Sequence, residues 1–329
     1  MFDVALDTTP LALTRAGTAR YLRSLLAELE RAPELRIERH SFDLRGRAFV
    51  PPRDVGWYLA ALPWLARRAD VLHCPTHRAP VRSPVPLVVT FHDLAVLRHP
   101  ETFNAWSRNY GRALLPAVAR AAARIITVSE FTAQELIDVL NVPEEKIRVI
   151  PNAVGSPFTP EGAAAEGEYV LAVGTLEPRK NLTALVEGFR RANLNGCELR
   201  LVGDRGWGDV EPLNGVRWLG RVSDDELARL YRGARCMAYV SLYEGFGLPV
   251  LEAMACGTAV VSSDLPPVRE FGRGVVHVDA RDPDAIAAGL SEAIARREEL
   301  GRDGQAAAAA FEWPRVARET LAVYQEVAA

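Results

Sequence analysis

The stretch that decides the fold is SLYEGFGLPVLEAMACGTAVVSSD, residues Ser241–Asp264. The apolar run that leads into it, Cys236–Leu242, is rich in β-forming residues and predicts a buried strand. Gly245 and Gly247 allow a tight turn and a close approach of backbone to a ligand. Pro249 suits the first turn of a helix, and TAVVSSD predicts another strand. A strand–loop–helix–strand unit places this loop at the carboxyl edge of a parallel sheet, where such folds bind ligands.

Two carboxylates bracket the glycine-rich loop. Glu244 lies on the loop itself, and Glu252 lies inside the predicted helix. An ionised carboxylate accepts hydrogen bonds, and the vicinal hydroxyl groups of a ribose or a hexose are suitable donors. The pair therefore predicts a site that binds sugar hydroxyls.

A cationic pair lies upstream, in GTLEPRKNL (Gly174–Leu182), between a predicted strand and a predicted helix. Arg179 and Lys180 are near a helix amino end, where free N–H groups favour an anion. The chain contains two lysines, Lys146 and Lys180, so composition alone does not explain a lysine here. Two cations in this position suit a diphosphate leaving group. The alternative is a solvated pair on a surface loop.

Strands and helices alternate along the chain in two series. The first begins with the strand FDVALD and the helix Thr18–Glu30, and the second begins with the strand YVLAVGT. Between them, Pro151–Glu168 is rich in Pro, Gly and Ala and predicts a linker. The pattern predicts an α/β protein with two doubly wound, Rossmann-like domains facing a cleft. The predicted domains are residues 1–158 and 159–310, followed by a terminal helix, 311–329, that packs back on the first domain.

Two further helices are predicted with definite bounds. One opens at Thr132, in TAQELIDVLN, and the other spans residues 282–300. The second begins with DPD, an acidic triplet of a kind that holds a metal in some enzymes. It fits better as a helix cap at Asp282 with a proline in the first turn.

Composition and charge limit the class of protein. Of 329 residues, 49% are hydrophobic and 25% are charged, which is typical of a soluble globular protein. No apolar run approaches the roughly 20 residues of a spanning helix, and the start lacks the basic region of a signal peptide. Four scattered cysteines favour a reducing cytoplasm over a disulfide framework.

The charge is unevenly distributed. The net charge of −3 argues against a nucleic-acid binder. Residues 1–158 contain 20 Arg and Lys against 16 Asp and Glu, whereas residues 159–329 contain 19 against 26. A basic first half would suit a charged acceptor or the inner face of a membrane, and the alternative is an ordinary solvated surface.

Three other motifs carry weaker signals. HCPTH brings His73 and His77 close together, but Pro75 breaks any helix that would align them for a metal. GDRGWG (Gly203–Gly208) is glycine-rich without being a dinucleotide fingerprint. GWYLAALPWLARR (Gly56–Arg68) combines three aromatic residues with two arginines. It would suit a membrane interface or an acceptor, but core packing is the favoured interpretation.

Together these motifs resemble the retaining glycosyltransferases of family 4 (group 1), which have the GT-B architecture. The second half matches in GTLEPRKNL, in WLGRVSDDELARLY and in Ser241–Asp264. The first half matches in RAGTARY, TFHDLA and VSEFT, and the chain closes with FEWPRVARETLAVY, so the resemblance spans nearly the whole chain. The motif GTLEPRKN is most similar to that of mannosyltransferase-like members that build polysaccharides.

The resemblance implies a role for each matching residue. Glu252 would bind the nucleotide ribose, and Glu244 would bind a hydroxyl of the donor hexose. Arg179 and Lys180 would stabilise the leaving diphosphate, and His92 would reach across the cleft to the transferred sugar. The implied catalytic residues are His92, Arg179, Lys180 and Glu244. The implied donor-binding residues are Gly17, Gly174, Gly203, Gly220, Arg221, Val222, Gly245, Phe246, Gly247, Leu248 and Glu252.

Within the donor-binding set, the backbone of residues 245–247 would contact sugar and phosphate, and Gly203 with residues 220–222 would line the base pocket. Two positions depart from the family pattern. RAGTARY has Ala19 where members commonly have a later glycine, and Thr175 stands where some members carry a phosphate-binding arginine.

The activity implied is transfer of a hexose from a nucleotide diphosphate sugar, with retention of configuration and without a metal or other cofactor. GDP-mannose is the favoured donor and a UDP-linked sugar the alternative; the acceptor would be a glycan, a lipid-linked sugar or a small molecule. The leaving phosphate would accept the acceptor's proton, since no residue suggests a covalent nucleophile. Other hypotheses are an epimerase or phosphorylase of the same architecture, a non-catalytic component of an assembly complex and, more remotely, a nicotinamide enzyme.

Overall fold

The computed structural model describes residues 2–14, 17–206 and 215–329. Arg15 and Ala16 of RAGTARY, and Trp207 and Gly208 of GDRGWG, lie outside the described residues. The chain forms two compact units. The first comprises Met1–Pro100, Asn104–Ala153 and Trp313–Ala329, and the second comprises Glu101–Phe103 and Val154–Glu312.

The first unit is built on a parallel sheet whose six described strands are ordered β2-β1-β3-β4-β5-β6. Its strands are β1 Phe2–Asp7, β2 Leu35–His40, β3 Val71–Cys74, β4 Leu87–Phe91, β5 Arg124–Thr127 and β6 Ile147–Val149. The order reverses direction between β1 and β3, so the switch point of this sheet lies where those two strands end. β3 and β4 are buried along their whole length, as their apolar runs predict.

The helices of the first unit include one that closes the chain. They are α1 Thr9–Leu13, α2 Gly17–Leu29, α3 Leu62–Ala66, α4 Ala95–Arg98, α5 Ala105–Ala121, α6 Glu130–Leu140 and α13 Trp313–Ala328. A π-helix, Pro52–Ala61, runs directly into α3. α2 and α13 bury their apolar faces in one core, where Leu22 and Leu25 meet Val316 and Tyr324.

The second unit contains another sheet with six described strands, all parallel, in the order β12-β11-β10-β7-β8-β9. Its strands are β7 Tyr169–Val173, β8 Glu198–Val202, β9 Val216–Gly220, β10 Cys236–Tyr239, β11 Val260–Ser263 and β12 Val275–Val278. This is the Rossmann strand order, and its switch point lies between β7 and β10. The prediction of an α/β fold with two doubly wound sheets is confirmed.

Several helices that cover the second sheet carry a glycine where they contact a neighbouring element. The helices described in the second unit are α7 Leu182–Ala192, α8 Asp224–Gly233, α9 Leu248–Ala255, α10 Pro266–Arg269, α11 Pro283–Ala295 and α12 Arg297–Ala308. A Cβ on Gly188 of α7 would lie 2.6 Å from Cγ2 of Ile286 in α11. The small residue therefore sets the distance between these two helices.

Two predicted helix bounds are wrong. The helix predicted from Thr132 begins at Glu130, because the Ser129 side chain caps it by accepting from the backbone N–H of Thr132. The single helix predicted over residues 282–300 is two helices that meet at Arg296. The break lets α12 lie against the α9 end, where a Cβ on Gly301 would be 2.3 Å from the carbonyl oxygen of Gly257.

Candidate active site

The loops that follow β7 and β10 meet at the switch point of the second sheet. A backbone hydrogen bond joins them, from the N–H of Leu242 to the carbonyl of Arg179, at 2.9 Å. Asn181 reinforces the contact by donating from Nδ2 to the carbonyls of Val240, at 3.2 Å, and Ala280, at 2.6 Å. Neighbouring strands thus bring together two segments that are about sixty residues apart in the sequence.

Glu244 lies between two cationic side chains. Lys180 Nζ donates to Glu244 Oε1 at 2.6 Å, and Arg179 Nη1 lies 2.9 Å from the same oxygen. Arg179 Nη1 also donates to the carbonyl of Tyr243 at 2.6 Å. Lys180 Nζ lies 3.3 Å from the hydroxyl of Tyr239 and 5.0 Å from the centroid of its ring. The structure therefore brings three of the four predicted catalytic residues into mutual contact.

Glu177, to which the sequence analysis assigns no role, holds the other end of Arg179. Arg179 Nη2 donates to Glu177 Oε1, and Glu177 is 2% exposed. The cluster of Glu177, Arg179, Lys180 and Glu244 thus contains two cations and two carboxylates. The signal in the sequence is an acid two positions before a predicted phosphate-binding arginine.

Electrostatics fix the protonation states in this cluster. Burial alone would raise the pKa of the Glu244 carboxyl, but Lys180 and Arg179 outweigh it and lower that pKa to about 2. Burial, together with the charge of Glu244, raises the pKa of Tyr239 well above its ordinary value. At neutral pH the cluster therefore presents an ionised Glu244 and a protonated tyrosine hydroxyl.

The glycine-rich loop is held by packing and by its own backbone geometry. Gly245 and Phe246 are buried, and Phe246 meets Phe271 edge to face, with ring centroids 5.0 Å apart. Gly247 caps α9 with φ of +101°, and a Cβ there would lie 3.2 Å from a methyl group of Val268. Leu248, the first residue of α9, is partly buried. The position of Gly247 requires glycine because a side chain is disfavoured at this φ.

Glu252 lies inside α9 and is 1% exposed. The hydroxyl of Tyr231, in α8, donates to Glu252 Oε2 at 3.1 Å. The role of Glu252 as a ribose ligand stays a prediction. The structure adds Tyr231, which the sequence analysis did not single out, as a residue that orients this carboxylate.

Gly174, Gly203 and Gly220 lie at the carboxyl ends of the adjacent strands β7, β8 and β9. Gly174 N–H donates to the carbonyl of Val202, and Gly203 N–H donates to that of Gly220, both at 2.9 Å. A Cβ on Gly203 would lie 1.9 Å from the carbonyl oxygen of Gly174. Only glycine fits at residue 203, because the two loops approach backbone to backbone.

Residues 220–222, which are predicted to line a base pocket, lie beside open space. Gly220 has φ of +67°, and a Cβ there would meet no atom within 4 Å. Arg221 is exposed and lies 2.9 Å from Asp204 Oδ2, and Val222 is partly buried. Their contact with a nucleotide base stays a prediction.

His92 and Gly17 belong to the first unit. His92 follows β4, and its Nε2 lies 3.0 Å from the carbonyl oxygen of Pro75, so this nitrogen carries the proton and donates it. Burial lowers the pKa of His92, so the ring is neutral and Nδ1 is an acceptor. The ring meets Tyr21 of α2 edge to face, with centroids 4.9 Å apart. Gly17 is the first residue of that helix and is exposed.

His73, of the HCPTH motif, uses both ring nitrogens inside the first unit. Nδ1 lies 2.6 Å from the hydroxyl of Tyr324 in α13, and Nε2 lies 2.9 Å from the hydroxyl of Thr90 in β4. Burial lowers the pKa of His73 to about 3. This histidine is a neutral core residue that connects the last helix to the sheet.

The architecture is GT-B: two Rossmann-like domains, the second with its charged cluster at the switch point. Two family models cover most of the chain. Residues 12–155 match Glycosyltransferase Family 4 and residues 158–309 match Glycosyl transferases group 1. The chain belongs to the group 1 family of glycosyltransferases.

Two curated relatives are mannosyltransferases. The chain is 32% identical over 328 residues to the O-antigen chain mannosyltransferase B of Escherichia coli, covering 92% of this chain and 82% of the relative. It is 30% identical over 249 residues to the O-antigen chain mannosyltransferase RfbU of Salmonella typhimurium, covering 70% and 68%.

A solved structure supports the same architecture. The Anabaena protein Alr3699/HepE, in complex with UDP and glucose, matches with a TM-score of 0.79 at 17% identity, covering 99% of this chain and all of that one. In the described residues, no helix has the length and apolarity needed to cross a membrane.

Proposed function

We propose that this glycosyltransferase moves a hexose from a nucleotide diphosphate sugar, with retention of anomeric configuration, to a glycan or lipid-linked acceptor in polysaccharide biosynthesis. Mannose carried on GDP is the favoured donor. The names of the two O-antigen mannosyltransferases support mannose and the pathway. The complex of the Anabaena protein with UDP and glucose supports a nucleotide sugar as the donor, with UDP as the alternative carrier.

The observation that carries the proposal is the contact of Lys180 and Arg179 with Glu244 at the β7–β10 switch point. A diphosphate needs cations in a mostly dry environment, where their attraction is little screened. The side chains of Arg179 and Lys180 are 13% and 12% exposed, so they are shielded from bulk water. The same carboxylate that holds the two cations is a ready acceptor for a sugar hydroxyl.

The charges of the cluster are balanced before a ligand binds, and this affects when its cations act. Without a ligand, Glu177 and Glu244 neutralise the two cations. An incoming diphosphate adds negative charge, and departure of the sugar concentrates that charge on the leaving phosphate. Arg179 and Lys180 would therefore act most strongly on the state that develops during the reaction.

The remaining steps need no covalent intermediate in this proposal. The leaving phosphate accepts the proton of the acceptor hydroxyl on the face from which it departs. Glu252, oriented by Tyr231, binds the ribose. His92 accepts a hydrogen bond at Nδ1 from a hydroxyl of the transferred sugar, since its Nε2–H donates to the carbonyl of Pro75. Catalysis then rests on positioning and on charge stabilisation.

The test is calorimetric titration of GDP, UDP and ADP into the wild type, Lys180→Gln and Lys146→Gln. Lys146→Gln is a matched control, because it removes the same charge from the first unit. There Lys146 Nζ donates to the carbonyls of Arg120 and Ala122. We expect one nucleotide to bind best, with affinity lowered about 10- to 100-fold by Lys180→Gln, as for a lost charged hydrogen bond, and unchanged by Lys146→Gln.

Product analysis tests the reaction itself. The best-binding nucleotide, supplied as its sugar derivative, should give a product whose one-bond coupling between C1 and H1 is that of the donor's anomeric configuration. Equal affinities in the wild type and Lys180→Gln, with both folded, would contradict the role of the cluster. A product of inverted anomeric configuration would refute retention, but it would not contradict the nucleotide site.

A further inference from the structure

Large apolar side chains are exposed mainly in one short part of the first unit. Of eight such side chains among the described residues, five lie between residues 44 and 64. They are Leu44 (54% exposed), Phe49 (38%), Val55 (53%), Leu59 (38%) and Trp64 (61%). Core packing is the interpretation that the sequence favours for Gly56–Arg68, and for Trp64 that prediction is wrong.

Three of these side chains lie on one continuous helical segment, the π-helix and the α3 helix that follows it. The i→i+5 hydrogen bonds of a π-helix bring the same face round about every four to five residues. Val55 and Leu59 lie in the π-helix at that interval, and Trp64 follows in α3, which continues the π-helix. We call these three side chains the exposed apolar face. The opposite side of the same helical segment is buried, with Tyr58 1% and Leu62 0% exposed. The segment is thus apolar on both sides, which packing inside the first unit does not explain.

Between residues 44 and 69 the exposed charged side chains that the structure describes are positive, and the exposed acids Asp43 and Asp70 lie at the two ends of this segment. Arg45, Arg67 and Arg68 are exposed. The guanidinium of Arg67 lies 3.9 Å above the ring centroid of Trp64. Asp54, the one acid between residues 44 and 69, is fully buried and paired with Arg53 and Arg78.

A hydrogen bond from Trp106 also holds the Asp54 carboxylate inside the protein. Trp106 Nε1 donates to Asp54 Oδ2 at 2.8 Å, and Arg78 Nη1 lies 2.7 Å from the same oxygen. Burial raises the pKa of Asp54, but Arg53, Arg78 and Trp106 together lower it below the ordinary value. The single carboxylate between residues 44 and 69 is therefore ionised inside the protein, and the exposed charged side chains described between Asp43 and Asp70 are cations.

We propose that the exposed apolar face and its flanking arginines bind the surface of an anionic membrane. Apolar side chains with tryptophan and arginine enter the boundary between headgroups and acyl chains, where rings and guanidinium groups find both apolar and polar partners. Exposed Arg67 and Arg68 add attraction to anionic lipid. A second copy of this chain fits less well, since pairing two such faces would bring like charges together.

This inference goes beyond the proposed function and does not depend on it, because lipid binding is measured without any sugar donor. The experiment is sedimentation of the full chain with vesicles of phosphatidylcholine alone and of phosphatidylcholine with phosphatidylglycerol. It uses the wild type, Leu59→Ser/Trp64→Ser and Arg67→Glu/Arg68→Glu. Arg297→Glu/Arg302→Glu is the charge-matched control, since both arginines are exposed on α12 of the second unit.

We expect the wild type to bind the anionic vesicles, and less strongly at high salt, because screening weakens the attraction. Each first-unit variant should lower the partition coefficient at least about tenfold, while the control binds as the wild type does. Thermal melting and nucleotide affinity should be unchanged in Leu59→Ser/Trp64→Ser, showing that both units remain folded.

Three outcomes would overturn the proposal. One is a folded wild type that does not bind anionic vesicles at any lipid concentration. Another is equal binding by the wild type and both first-unit variants. The last is a dimer in sedimentation velocity that Leu59→Ser/Trp64→Ser converts to a monomer, which would assign the face to a second copy.

Discussion

At the residue scale, the pairing of Glu244 with Lys180 and Arg179 is the contact with most consequence. Surface ion pairs contribute little to stability because water screens them and side-chain freedom is lost. Here the carboxylate is 11% exposed and two cations share one of its oxygens. Breaking a mostly buried pair leaves an uncompensated charge, which is far more costly than losing a surface pair.

We expect a coupling energy of about 1–3 kcal/mol between Glu244 and Lys180 in a double-mutant cycle. The cycle compares the unfolding free energies in urea of the wild type, Glu244→Gln, Lys180→Gln and the double variant at pH 7. The control cycle uses Glu299 and Arg296, which are 2.7 Å apart but 52% and 45% exposed. Its coupling should be much smaller, and similar couplings in the two cycles would contradict this account.

The sequence predicted the members of this cluster better than their pairing. Glu244, Arg179 and Lys180 were recognisable because charged residues stood next to glycine and apolar strands. Glu177 and Tyr231 were not, since each acts through a partner that only the strand order brings near. Periodicity along one chain segment carries no information about such partners.

At the element scale, the glycines at the ends of β7, β8 and β9 show how close the loops approach. Gly203 and Gly220 are joined by a backbone hydrogen bond, yet their surroundings differ. A Cβ on Gly203 would enter the carbonyl group of Gly174, whereas a Cβ on Gly220 would meet open space. Both have positive φ, so alanine is conformationally strained at either position.

These two glycines give a matched prediction. Gly220→Ala should lower the free energy of unfolding by about 1–2 kcal/mol, the typical strain of a left-handed residue. Gly203→Ala should lower it by at least ~2 kcal/mol more, because the backbone of the neighbouring loop must move. Urea unfolding of the two variants measures the difference. Equal losses of unfolding free energy would contradict this prediction, because they would mean that the backbone at Gly174 moves away from the new side chain at little cost.

Element prediction succeeded where the hydrophobic pattern had one clear period. The buried strands of both sheets are short apolar runs, and most were identified within a few residues. β2, with the sequence LRIERH, was missed because it is an edge strand whose exposed side is charged. The π-helix Pro52–Ala61 was missed because its period is neither that of a strand nor that of an α-helix.

At the scale of the whole molecule, titratable groups buried in the first unit make its stability depend on pH. Burial lowers the pKa of His73 to about 3 and that of His77 to about 4. Burial raises the pKa of Asp7 to about 6, although hydrogen bonds from Thr9 and Tyr58 oppose the shift. The two histidines and the aspartate therefore act in opposite directions.

The sign of the net effect follows from counting protons. Stability from the histidines is complete above pH 6.5 and is lost as the pH falls, since the unfolded chain then takes up two protons that the folded chain refuses. Stability from Asp7 is complete below its ordinary pKa of 3.8 and is lost as the pH rises through 6. Between pH 6 and pH 4 these three groups make the unfolded chain bind about one proton more than the folded chain, and the lowered pKa values of His92 and His40 act in the same direction.

We therefore expect the first unit to lose at least about 1.4 kcal/mol of stability per pH unit on acidification from pH 6 to pH 4. Hydrogen exchange of peptides from residues 2–14 and 71–91, followed against urea, measures this unit by itself. His73→Gln should flatten the slope, and Asp7→Asn should steepen it. A slope unaffected by either variant would refute the assignment.

The hydrogen bond between His73 and Tyr324 also has a consequence for the order in which the molecule is made. Tyr324 lies in the last helix, and the ribosome releases that helix only after all of Val154–Glu312 has been synthesised. Until then the first sheet has its strands but lacks the helix that covers His73 and the apolar side of α2. Domains commonly fold in the order of their synthesis. In this chain the first unit is begun before the second and is completed after it.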